Sequence, residues 1–195
     1  LGLSAEKLST FVQRQISKTG KASNEMLDRF AAANKGVSRK TGISAKIISQ
    51  YGEKIAADTE RFSNMSITSI TALSGQISQL GLTYRDLQGT IGKFESFEGA
   101  AESVGNLTTV FGVHLDSMEL MRMANEDQGE MLGHLREQFI NQGVAFEDLN
   151  QAQRRILKDQ LGLSDVEALE RFLNPDIIVD SMEELQSAAE DTADK

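Results

Sequence analysis

Asn150-Gln151-Ala152-Gln153-Arg154-Arg155-Ile156-Leu157-Lys158-Asp159-Gln160-Leu161-Gly162-Leu163-Ser164-Asp165-Val166-Glu167 carries a helix start, a helix, a stop and the next start without a break. Asn150 followed by Gln153 reads as a cap. Ile156, Leu157 and Leu161 give the helix an apolar side. Gly162 suits the left-handed turn past a helix end, and Leu163 folds back onto the last turn. Ser164-Asp165-Val166-Glu167 then reads as a capping box opening a helix with Val166, Leu169, Phe172 and Leu173 inward, ended by Asn174-Pro175.

The same punctuation recurs outward from this stretch. Glycine precedes an aliphatic residue at Gly36-Val37, Gly42-Ile43, Gly81-Leu82, Gly112-Val113, Gly143-Val144 and Gly162-Leu163. Thr83 is a start signal for a helix with Leu87, Ile91, Phe94, Phe97, Ala101, Val104, Leu107 and Phe111 inward, a spacing close to that of a coiled coil. Asp116 with Glu119 opens a short helix. Asn125-Glu126-Asp127-Gln128 opens another, carrying Met131, Leu132, Leu135, Phe139 and Ile140. Each cap contributes about 1 kcal/mol, so residues 81–174 are expected to form a compact domain of short capped helices.

Residues 1–80 read differently. Leu8, Phe11, Val12 and Ile16 place a stripe on 4–18, and Met26, Leu27, Phe30 and Ala31 one on 23–34. A longer stripe runs from Ile43 through Ile47, Tyr51, Ile55, Phe62, Ile70 and Leu73 to Leu80. It predicts one long helix, or two broken near Gly52 or Gly75. Such thin stripes want partner helices, so 1–80 is expected to be an extended, bundle-forming region. After Pro175, residues 175–195 form an acidic C-terminal segment with a start signal at Ser181-Met182-Glu183-Glu184. The fold class expected is all-α: long amphipathic helices, then the compact unit.

Charge divides the chain. Residues 1–57 hold 10 Lys/Arg and 4 Asp/Glu, a net +6, while 58–195 hold 10 and 25, a net −15. An acidic second part lacks the cations that phosphate neutralisation needs, so direct specific nucleic-acid binding is not expected. There is no Cys, hence no disulfide and no thiolate site. No apolar run approaches the roughly 20 residues of a membrane helix. Leu1 in place of Met points to a processed product or a piece of a longer chain.

Chemistry-bearing residues do not assemble into a site. His114 and His134 stand 20 residues apart on different expected elements, without the ligand spacing of a metal centre. Glu95, Glu98 and Glu102 form a ridge at helix spacing that reads as a solvated face. Gly89-Thr90-Ile91-Gly92 lacks the Lys-Ser/Thr of a phosphate loop and reads as a close-packing surface. Arg136, Arg154, Arg155 and Lys158 read as ties to acidic neighbours. Met118, Met121, Met123 and Met131 read as core filling before an adaptable surface. No catalytic, cofactor-binding or metal residue is assigned.

Residues 94–173 resemble a segment of the tape measure proteins of long-tailed bacteriophages, above all large contractile-tailed ones. The resemblance rests on Phe94-Glu95, Phe111-Gly112-Val113-His114-Leu115-Asp116, Met123-Ala124-Asn125, Gln138-Phe139-Ile140-Asn141-Gln142-Gly143, Phe146-Glu147-Asp148-Leu149-Asn150-Gln151-Ala152-Gln153-Arg154, Leu161-Gly162-Leu163-Ser164 and Phe172-Leu173. It implies a structural protein of the virion, not an enzyme. Such a protein sets tail length during assembly in the host cytoplasm and occupies the tail tube until DNA ejection. The partners implied are several parallel copies (trimer or hexamer), tail tube and baseplate hub proteins, with membrane contact confined to ejection. A cellular helical scaffold or binding module is the alternative that the residues leave open.

Overall fold

Thr41, Gly42 and Ser44 set the first corner. Gly42 has φ 72°, a left-handed turn that ends one helix. Ser44 then accepts the Ile47 N–H and starts the next. A computed structural model describes residues 23–193, and every regular element among them is helical. The helices are α1 (Ser23–Thr41), α2 (Ala45–Ala57), α3 (Ile67–Gln79), α4 (Tyr84–Phe94), α5 (Phe97–Phe111), α6 (Ser117–Glu126), α7 (Gln128–Asn141), α8 (Gln151–Leu161), α9 (Val166–Leu173) and α10 (Met182–Ala193), with a 3-10 turn at Phe146–Asp148. The protein is all-α. The stripe read over residues 4–18 lies outside the described residues.

The backbone divides into two units. One takes 23–79 and 180–193, the other Leu80–Val179. The residues from Asp180 onward thus belong with the first helices, not to a separate C-terminal segment.

In the first unit α3 packs against α1, α2 and α10. Ten of its 13 residues are buried, so its polar side chains must be satisfied from within. Thr71 Oγ1 donates to the Ile67 carbonyl at 2.9 Å, and Ser74 Oγ to that of Ile70 at 2.7 Å. α10 lies along α1 and α3 and buries Met182, Leu185 and Ala189. Small residues permit the close approach: a Cβ on Gly36 would overlap the Ala188 backbone carbonyl. Lys40 sits 3.2 Å from Asp180, whose hydrogen bond and charge, with that of Glu184, raise the lysine pKa.

Residues 43–80, expected as one helix or as two broken at Gly52 or Gly75, break instead over 58–66. Asp58 accepts the Arg61 N–H at 3.3 Å, and Ser66 Oγ accepts that of Ser69 at 3.0 Å. These local bonds compete with helix continuation. Gly52 and Gly75 lie inside helices. Added Cβ atoms would come within 3.0 Å of the Phe30 ring and 2.5 Å of Val37, so these glycines mark crossings, not breaks.

The second unit holds α4–α9 around Leu87, Phe94, Leu107, Leu135, Phe139 and Phe172, each at most 1% exposed. Thr83 and Asp86 form a reciprocal cap on α4, as Asn150 and Gln153 do on α8. The single helix expected over 83–111 is two, because Ser96 Oγ accepts the Gly99 N–H and restarts the register. Ala100, Ser103 and Leu107 turn inward, and Phe97 is left 61% exposed. Two other starts shift by a residue or two. Asp127, not Asn125, caps α7, and Asp165, not Ser164, caps α9.

Candidate functional site

Asp86 has the most concentrated polar environment in the second unit. It is fully buried. Its Oδ2 accepts the Thr83 N–H at 2.7 Å and the Thr83 hydroxyl at 2.6 Å, and its Oδ1 accepts the Ser164 N–H at 2.7 Å. Burial is the largest influence on its pKa and pushes it up. The donors at Ser164 and Thr83 together outweigh burial, so the carboxyl titrates below its ordinary value. Ser164, displaced from its expected capping role, thereby ties the α8–α9 corner to the start of α4. A native pKa below the unfolded one means stability present in full above about pH 3.9 and lost as pH falls through the lowered native value. In urea titrations between about pH 2 and pH 5, wild-type stability should fall with pH and Asp86→Asn should show a flatter dependence. Equal slopes would remove this role.

Arg136 is a half-buried charge held by backbone carbonyls. Its Nε donates to the Phe172 carbonyl at 3.1 Å, and its Nη2 to those of Asn174 at 2.6 Å and Ile177 at 2.8 Å. Burial lowers its pKa. The guanidinium thus closes the C-terminal end of α9 and holds the segment around Pro175. Its partners are carbonyls rather than the acids expected from sequence. Arg154 likewise stacks on the Phe146 ring, 4.1 Å from its centroid. A lysine cannot reproduce the planar fork, so Arg136→Lys should cost about 2–3 kcal/mol in chemical denaturation. A loss within about 0.5 kcal/mol would show the clamp to be dispensable.

The other singled-out residues do not converge. His114 is exposed beside α6 and His134 half-buried on α7. Glu95, Glu98 and Glu102 are all exposed, around the start of α5. Met123 and Met131 are buried in the core, whereas Met118 is 53% exposed. Among the described residues no group of three or more His, Asp or Glu could hold a metal ion, and no helix is long and apolar enough to cross a membrane.

One concavity stands out, and sequence reasoning missed it because it arises from two helices meeting. α1 and α2 enclose a cleft of about 380 Å³. Buried Asn34 and Ser49 lie at its base, half-buried Ala31 and Ala45 on its walls, and exposed Lys35 and Lys46 at its mouth, with Glu53 also lining it. Asn34 Nδ2 donates to the Phe30 carbonyl, while its buried Oδ1 has no partner. The cleft offers a largely apolar socket with two cations at its edge. No family model, no curated protein and no solved structure matches this chain.

Proposed function

We propose that this chain is a structural component of a bacteriophage tail, a tape measure-like protein that sets tail length during assembly and fills the tube until the genome leaves. The observation that carries the reading is the ordered set of motifs from Phe94 to Leu173, above all Phe146 to Arg154 followed by Leu161-Gly162-Leu163-Ser164. The all-helical architecture supports it. So does the use of buried Asp86 and half-buried Arg136 to hold corners of the second unit together. On this reading the protein works by shape and docking, without covalent chemistry. Its partners are further copies of itself, the tail tube and the baseplate hub, and its place is the tail lumen. Mass spectrometry of purified virions should recover its peptides at a few copies per particle. Virions devoid of those peptides would end the proposal.

A further inference from the structure

We propose that the α1–α2 cleft of one copy is the socket for Phe97 of a second copy, with Glu98 and Glu102 of that copy meeting Lys35 and Lys46 at the cleft mouth. The contact needs nothing from the tail reading and stands on four observations.

The first is the knob. Phe97 opens α5 and is 61% exposed, a large apolar side chain left outside its own core by the restart at Ser96. Ala101 and Gly105 follow at one-turn intervals on the same side, both exposed, and Gly105 has open space where a Cβ would lie. A helix face that begins with a ring and continues with small residues lets another helix approach closely.

The second is the socket. A cavity of about 150 Å³ lined by apolar groups holds benzene, so a cleft of about 380 Å³ between Ala31 and Ala45 has room for a phenyl ring.

The third is charge. Glu98 and Glu102 flank Phe97 and Ala101 and make no ion pair among the described residues. Lys35 and Lys46 likewise make no ion pair among the described residues. Glu53, which lines the cleft, is half-buried and outnumbered by the two lysines. Leu80–Val179 holds 8 Lys/Arg and 17 Asp/Glu, a net −9, while residues 1–79 and 180–195 hold 12 of each, so the attraction is local, between the two lysines at one copy's cleft mouth and the acidic second unit of another. A symmetric pairing of two α5 faces would instead bring four glutamates together.

The fourth is geometry of assembly. Knob and socket are different surfaces, so the contact is heterologous, and it propagates head to tail unless the rotation closes a ring.

The test is sedimentation velocity of the full chain from about 1 to about 500 μM, where wild type should grow in mass with concentration and less so at high salt. Phe97→Ala should weaken association about tenfold or more. Glu98→Lys/Glu102→Lys and Lys35→Glu/Lys46→Glu should each be monomeric alone, since knob and socket then repel. Mixed in equal amounts they should associate again, because each knob now faces an opposite charge on the other variant. All five substituted positions are exposed, and unchanged circular dichroism would show that the folds are intact. A wild-type monomer at every concentration, association indifferent to Phe97, or a mixture no heavier than its parts would each overturn the contact. A virion without the protein would leave it standing.

Discussion

Gly89→Val is expected to destroy the cooperative unfolding of the Leu80–Val179 unit. A Cβ at Gly89 would overlap the Gly162 carbonyl oxygen and stand 3.0 Å from its carbon, and a Cβ at Gly162 would overlap the Gly89 carbonyl in return. Both obstacles are backbone, so no flexible side chain can give way. Relief requires α4 and the α8–α9 corner to separate, and that separation breaks the Ser164 to Asp86 hydrogen bond. Overpacking costs about 1–3 kcal/mol and a buried polar group left unpaired about 1–3 more, a large share of the roughly 5–15 kcal/mol that stabilises a domain. A melting temperature lowered by more than about 15 °C should result. Gly92→Ala is the control. Gly92 lies in the same helix with nothing within 4 Å, so alanine there should be neutral or stabilising by up to about 1 kcal/mol. A valine at position 89 that melts within a few degrees of wild type would show that the two backbones do not need this close an approach.

The first unit should fail in the same manner at Gly36→Leu. Leucine is a good helix former, so a loss cannot be assigned to propensity. Its Cβ would overlap the Ala188 carbonyl and lie 2.7 Å from Thr192 Oγ1. α10 must then leave α1, uncovering Leu185 and Ala189, both fully buried, together with the α3 surface beneath. Burying a leucine side chain contributes about 1.5–3 kcal/mol, and the Lys40 to Asp180 pair goes with it. The expected cost is on the order of 3–5 kcal/mol. Hydrogen exchange should show lost protection across 23–79 and 180–193 while 80–179 keeps its own. Full protection of α10 in the variant would contradict the account.

What the sequence made readable is local chemistry. Thr83 with Asp86, Asn150 with Gln153, and the left-handed glycines at 42, 81, 112, 143 and 162 all involve neighbours within a few positions, and all are present in the structure. Gly36 looked the same from its following valine yet sits inside α1, because what it accommodates lies on α10, some 150 positions away. Ser96 was passed over since Phe97, Ala101, Val104 and Phe111 continue the spacing of the preceding helix. Only three-dimensional packing reveals that Ala100 and Ser103 join the expected Leu107 in the interior. The stripe from Ile43 to Leu80 runs on past Asp58 and Ser66, so its periodicity predicts continuity where their local hydrogen bonds break the helix. The cleft and the Asp86 to Ser164 bond join residues from separate elements, so no periodicity could announce them.

Gln79 and Asp180 exchange two hydrogen bonds, of 2.6 and 3.1 Å, at the place where the chain departs from the first unit and returns. A ribosome therefore delivers α1 and α3 long before α10, the helix that packs along both. Leu80–Val179 has all its parts in hand before Asp180 is made, so during synthesis α1–α3 wait for α10 to complete their unit.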